Sequence, residues 1–191
     1  MEESKSSHRY TVQEYLAMEE VAEYRSEYFE GEIFSMAGES GNHSRIATDC
    51  ANAIAEGLKN GNCEVFNSDL KVRIENRSAY CYPDIAVVCG GATFEDPAKS
   101  ILTNPMLIFE VLSKSTESMD RGSKFHRYKQ ISSLVEYILI AQDEPQIDAF
   151  LKVDDERWNM HSYAGLDDVL LLRSLGIQIK LADIYRRVKF E

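Results

Sequence analysis

Two carboxylates stand where a folded chain can least tolerate an unpaired charge. Asp84 follows Tyr82-Pro83 and leads straight into the apolar run Ile85-Ala86-Val87-Val88. Twenty-six residues on, Glu110 lies inside Met106-Leu107-Ile108-Phe109-Glu110-Val111-Leu112. A carboxylate buried among aliphatic side chains is costly unless a cation offsets it. On neighbouring strands the two acids can share one hard cation, with oxygen ligands at about 2.1 Å for Mg2+. A backbone carbonyl beside Glu110, most naturally that of Val111, can be a third ligand, and waters would complete the shell. Metal-dependent phosphodiester cleavage needs such a centre, which polarises the phosphate, lowers the pKa of a bound water and stabilises the leaving oxygen. A lysine near the water would orient it or offset developing charge.

The same residues have plainer readings. Asp84 can be a strand-entry residue that hydrogen-bonds a turn. Glu110 can sit in a buried salt bridge, Lys124 being one partner it could take. His43, near a helix start, suits contact with an anion or acid–base work, or it is a capping or surface histidine. Asp69 reads as a turn residue between strands. The stretch Asp120-Arg121 and Lys124-Phe125-His126-Arg127-Tyr128-Lys129 is either a solvated helix face or a phosphate-contacting edge. Arg186-Arg187-Lys189 reads as favourable charge at a helix end.

Positioning these groups requires a mixed sheet. Thr11-Val12-Gln13-Glu14 has capping-box form and starts a helix to about Ala22. Tyr28-Phe29 and Ile33-Phe34 flank a hairpin turn at Glu30-Gly31. Ser40-Gly41-Asn42 opens the clearest helix, with Ile46, Ala47, Ala51, Ile54, Ala55 and Leu58 at helical spacing and Gly61 at its end. Strand-like runs follow at 63–67, 70–75 and 80–89, the last two parted by Asn76-Arg77-Ser78. Leu70, Val72 and Ile74 alternate with Lys71, Arg73 and Glu75, which predicts one wet face. Residues 92–104 read as a loop, 106–112 as a strand, and Ser115 or Thr116 as the cap of a helix to about Gln130. Strands at 135–141, 147–153 and 157–163 and a closing helix over 181–188 complete the layout.

These pieces together resemble a known superfamily. Pro83-Asp84 followed by Glu110-Val111-Leu112 looks like the PD-(D/E)XK restriction-endonuclease-like pattern. Glu27-Tyr28-Phe29-Glu30-Gly31-Glu32-Ile33, Met36, His43, Glu110 through Thr116, Asp120, Lys124, Tyr128 and Glu136-Tyr137 look like its Uma-type restriction endonuclease branch of bacteria. The resemblance runs from about Tyr10 to Val188. It implies an α/β (α+β) fold, a mixed core sheet of four strands flanked by helices, here with extra antiparallel C-terminal strands. It also implies a Mg2+ or Mn2+ site. The superfamily places a lysine two residues after the second acid, where this chain has Leu112. In the resembled branch the basic residue has moved to the next helix, and Lys124 is the matching position, with Tyr128 one turn further along the same face. Lys114 is the rival, but four strand positions from Glu110 put it roughly 13 Å away if extended. Glu27 is an additional acid in the family pattern; its plain reading is an exposed charge near a turn.

Composition sets the remaining bounds. At 191 residues, 44% hydrophobic and 28% charged, the chain is ordinary for a soluble globular protein. We expect a loose N-terminus over 1–9 and one restriction-endonuclease-like domain over 10–191. No apolar run has the length of a membrane span and the polar start has no signal-peptide core, so the expected location is the cytoplasm, without membrane partners. The four cysteines, at 50, 63, 81 and 89, lack the spacing of a zinc knuckle or redox motif and are expected to be reduced packing residues. A net charge of −11 argues against a surface that grips nucleic acid as a whole, though not against a local basic groove or acids gathered around metal. No Gly-x-Ser-x-Gly elbow or Gly-x4-Gly-Lys-Ser/Thr loop is present, which disfavours those hydrolase and nucleotide-binding classes. The expected function is a divalent-metal-dependent endonuclease acting on DNA as a homodimer; the alternative is a catalytically inactive binding or regulatory module on the same fold.

Overall fold

The computed structural model describes residues 8–36, 38–74 and 79–190. Helix α1 (Val12–Val21) begins with the expected capping box: Thr11 N–H donates to Glu14 Oε2 at 2.7 Å and Glu14 N–H to Thr11 Oγ1 at 3.2 Å. Strands β1 (Ser26–Phe29) and β2 (Glu32–Ser35) form the expected hairpin, with positive φ at Glu30 and Gly31. Helix α2 (Gly41–Leu58) is capped by Ser40.

The strands that follow divide between two sheets. β3 (Cys63–Asn67), β4 (Lys71–Arg73), β5 (Ala79–Cys81) and β6 (Ile85–Cys89) come first. After them come β7 (Ile101–Leu102) and β8 (Leu107–Leu112). The run 80–89 is thus two strands. Pro83, which has no N–H to give a ladder, marks the crossing from the sheet β2-β1-β5-β4-β7 to the sheet that contains β6. The turn expected at Asn76-Arg77-Ser78 lies outside the described residues. A helical segment follows β8: α3 (Glu117–Met119), a π-helical turn over Asp120–Lys124, and α4 (Phe125–Tyr128). Strands β9 (Glu136–Ala141), β10 (Gln146–Lys152) and β11 (Trp158–Ala164) complete a six-stranded sheet in the order β11-β10-β9-β8-β6-β3. The hairpin of β12 (Val169–Leu172) and β13 (Ile177–Lys180) precedes α5 (Leu181–Ile184).

The six-stranded sheet is covered on both faces, so its central strands read as unbroken apolar runs. Ile85, Val87, Phe109 and Val111 pack with Ile46, Cys50 and Ile54 of α2, while Ala86, Val88, Ile108 and Leu112 pack with Tyr128 and Tyr137. Glu110 therefore falls on the face shared with Tyr128.

Several expectations are corrected. Lys71 does not lie on a wet face: it is buried, with Nζ 4.9 Å from the Tyr15 ring centroid and 5.5 Å from that of Tyr82. The aromatic cluster of the N-terminal elements attracts its cation, and alternation alone does not reveal such a cover. Cys63 and Cys89 are joined in a disulfide, because antiparallel pairing of β3 and β6 sets them directly opposite each other. Cys50 and Cys81 are buried free thiols. The closing helix stops at Ile184, and the β12–β13 hairpin was not foreseen.

Arg186 and Arg187 do more than complement a helix end. Buried Asp49 of α2 accepts from Arg186 Nη2 at 2.8 Å and from Arg187 Nη2 and Nε at 2.7 and 3.0 Å. Burial opposes ionisation of Asp49, but the two guanidinium groups outweigh it and hold the carboxyl below its usual range. A lowered folded-state pKa gives stability that is present above the ordinary aspartate value of about 3.9 and lost as pH falls through the lower native value. Asp49→Asn should cost roughly 1 kcal/mol near neutrality, since both arginines are largely open to water. Thermal midpoints measured against pH should show the gap between wild type and variant closing below about pH 4.

Candidate active site

The site grows from the β6–β8 ladder. Its last pair is Ile85 opposite Phe109, so one step further sets Asp84 opposite Glu110, with side chains on one face of the sheet. Both are buried. Val111 N–H donates to Asp84 Oδ2 at 2.6 Å, which pins the aspartate to the neighbouring strand. In an extended strand the N–H and C=O of one residue point to the same edge, so the Val111 carbonyl is directed to the Asp84 side as well.

Glu110 Oε1 receives two donors from the helical segment, Tyr128 Oη at 2.9 Å and Lys124 Nζ at 2.9 Å. Lys124 and Tyr128 are four residues apart on one helix face. The π-turn that ends at Lys124 turns both Asp120 and Lys124 inward, and such turns recur at functional sites. Lys124 also meets Glu27 Oε1 at 3.0 Å and Asp120 Oδ1 at 3.7 Å. Burial opposes its charge, but Glu110, Glu27 and Asp120 outweigh that and keep the ammonium protonated above the usual lysine range. Burial likewise pushes the Glu110 carboxyl up, against the pull of Lys124.

Glu27 is thus buried beside Lys124 and not an exposed turn charge; its Oε1 also accepts Tyr82 N–H at 3.0 Å. His43, in the first turn of α2, is buried with Nε2 3.2 Å from Asp84 Oδ2 and Nδ1 against Glu39 Oε2. Burial disfavours its charge, yet the two flanking carboxylates prevail and raise its pKa to about 10. Glu39, His43 and Asp84 offer ligand atoms within 4.8 Å of one another, a second grouping able to hold an ion around the same aspartate. The groups line a cleft of about 440 Å³, with Phe34, Thr116 and Gln142 among its walls.

Lys114 is exposed and forms no part of this cluster. Asp69 is the turn residue the spacing suggested, held by Arg25 and Asn67. The basic stretch is not one solvated face: Arg121 pairs with Glu117 and Asp148, Arg127 lies over Phe29 and Lys129 over Phe125. Glu39 and the pairing of Asp120 with Lys124 were missed as site features. Their signals were local ones, an acid four residues before His43 and an acid four before Lys124.

A mixed sheet with two acids at the matched ends of adjacent central strands, and a lysine facing them from the following helix, defines the restriction-endonuclease-like fold class. The chain belongs to the Uma2 family, described as "Putative restriction endonuclease", whose profile matches residues 12–182. It is 38% identical over 178 residues to the Synechocystis protein slr1290, covering 93% of this chain and 92% of that one. A second Synechocystis protein, sll1609, is 36% identical over 155 residues, covering 81% and 88%. A solved structure from Anabaena variabilis, titled a putative nuclease belonging to DUF820, superposes with a TM-score of 0.75 at 20% identity. That match spans 93% of this chain and 98% of the other, and it shows the shared fold. No helix among the described residues is long and apolar enough to cross a membrane.

Proposed function

We propose that the chain is a divalent-metal-dependent endonuclease that hydrolyses DNA phosphodiester bonds, with Asp84, Glu110 and the Val111 carbonyl holding Mg2+ or Mn2+. The supporting observation is an excess of buried acidic side chains over basic ones around one cleft. Glu27, Asp84, Glu110 and Asp120 are all buried there, against the two cations Lys124 and His43. Lys124 reaches Glu110 from the Glu27 side, and among the described residues no ion pair joins it to Asp84. Among the described residues, Asp84 Oδ1 and Glu110 Oε2 accept no hydrogen bond. Two such oxygens and a carbonyl suit a hard cation. When bound, the ion would supply Lewis-acid stabilisation of the phosphate and an acidified water.

The chain's own groups do the positioning. Tyr128 and Lys124 fix one oxygen of Glu110 and leave the other to the cleft. Val111 N–H and His43 hold Asp84. Lys124, kept cationic, can orient water and balance charge on the phosphate, but it has no lone pair with which to act as a base. The family description, a restriction endonuclease, supports DNA as the substrate class. One observation favours the binding-module alternative: Lys124 already neutralises Glu110 in part. The test is to incubate the chain with supercoiled plasmid, linear duplex, single-stranded DNA and RNA, with Mg2+, Mn2+ or a chelator, and to titrate Mn2+ by calorimetry. DNA should be cut only with metal present. No heat at millimolar Mn2+ and no cleavage of any substrate would leave the binding module standing.

A further inference from the structure

The sheet edges of this protein are not alike. β2 carries Glu32 and β3 carries Glu64, β7 has two residues, and β13 carries Lys180. Leu171 N–H of the four-residue β12 already donates to Tyr163 Oη at 3.3 Å. Short length and charge are the usual devices that stop an edge from recruiting another strand. β11 has neither: it is seven residues long, Trp158-Asn159-Met160-His161-Ser162-Tyr163-Ala164, without Asp, Glu, Lys or Arg, and it ends the six-stranded sheet.

Hydrogen bonds at its two ends fix which backbone groups are free. Val153 N–H donates to Arg157 C=O at 2.8 Å, and Gly165 N–H to Pro145 C=O at 2.8 Å. Both belong to the register that pairs Ile147 with Tyr163 and Ala149 with His161. Bonded pairs alternate along an antiparallel ladder, so the odd-numbered residues of β11 face β10 and the even-numbered ones face outward. Ala164 agrees: its N–H is taken by Asp168 Oδ2 at 2.8 Å. The outward N–H and C=O of Trp158, Met160 and Ser162 have no protein partner among the described residues.

We propose that two copies of this chain join through β11, antiparallel, with the twofold axis at Met160. That register sets Trp158 opposite the partner's Ser162, Met160 opposite the partner's Met160, and Ser162 opposite the partner's Trp158. Three pairs of two bonds each satisfy every free N–H and C=O of these residues in both copies. Met160, 58% exposed, meets its own copy at the axis. Asn159 and His161 face each other across it as polar neighbours. Charge favours this contact as well. A chain of net charge −11 repels its copy over most of its surface, whereas β11 is neutral, and exposed Arg157 adjoins it. A groove of about 490 Å³ reaches this strand from β10, with Ala149, Leu151, Trp158 and Met160 among its walls. The interface lies three strands from Glu110, so the inference is independent of the catalytic reading.

Sedimentation of the full chain across micromolar concentrations tests it. Wild type should sediment at twice the chain mass. Met160→Lys brings two like charges together at the axis, on a side chain that faces water in the single copy. It should sediment at the single-chain mass with an unchanged circular dichroism spectrum and unchanged Mn2+ affinity. Met160→Cys should form a crosslinked dimer under mild oxidation, since bonded partners have Cα atoms about 5.5 Å apart. A wild type that stays single to high-micromolar concentration overturns the proposal. So does a dimer that survives Met160→Lys, or a Met160→Cys chain that does not crosslink.

Discussion

Asp84→Asn should yield a folded protein that binds no Mn2+ and cuts DNA about a thousand-fold more slowly than wild type, or not at all. The substitution is nearly isosteric. An amide oxygen can still accept Val111 N–H, the bond that ties residue 84 to β8. What disappears is the negative charge, and with it half of the carboxylate pair set by the β6–β8 register. Transition-state stabilisation by a metal ion is worth several kcal/mol, and each 1.36 kcal/mol is a factor of ten in rate. A folding defect is separable: thermal melts and circular dichroism should stay close to wild type while the calorimetric Mn2+ signal vanishes. Cleavage retained to within about tenfold would remove Asp84 from the chemistry. Loss of cleavage with Mn2+ affinity intact would instead assign Asp84 to positioning His43, whose Nε2 lies 3.2 Å away.

How much of this was legible beforehand depends on the range of the signal. Most local signals read well, although the acids four residues before His43 and Lys124 went unread. The capping box at Thr11 and Glu14, the positive φ demanded at Glu30-Gly31, the Ser40 cap and the two-sided burial of β6 and β8 all leave their mark within a few residues. The placing of Asp84 and Glu110 inside apolar runs pointed to a shared cleft because a buried carboxylate is costly unless a partner offsets its charge. Non-local facts did not read. Cys63 meets Cys89 only because β3 and β6 pair in one particular register. Lys71 is buried only because α1 and the 82–84 crossing bring Tyr15 and Tyr82 over it. The clasp of Arg186 and Arg187 on Asp49 spans well over a hundred residues. The Uma-type resemblance supplied what periodicity could not, the link from Lys124 and Tyr128 back to Glu110, while Glu39 escaped both.

Lys124→Met should be the most destabilising single change in the cleft. The two side chains have similar length, so packing against Tyr128 and the β8 face is largely kept, and the loss is one of charge. Without the ammonium, Glu27, Glu110 and Asp120 remain buried within reach of one another and lack their common partner. Removing one member of a buried ion pair typically costs about 3–5 kcal/mol, because the surviving charge is stranded away from water. For a chain of this size that lowers the thermal midpoint by about 6–20 °C. Adding Glu110→Gln to Lys124→Met should restore part of the loss, and the shortfall from additivity measures the coupling between the two residues. The pair also separates structure from chemistry. If Lys124 merely neutralises Glu110, the double variant regains stability and Glu110→Gln alone is as harmful as Lys124→Met. If Lys124 is held by all three acids, as its distances indicate, Glu110→Gln alone is mild and Lys124→Met remains severe. Mn2+ should raise the midpoint of Lys124→Met by more than that of wild type, since the cation then meets carboxylates with no competing ammonium. A Lys124→Met protein as stable as wild type would mean that the acids around it are not charged together in the native state, and the case for a cation in this cleft would lose its electrostatic basis.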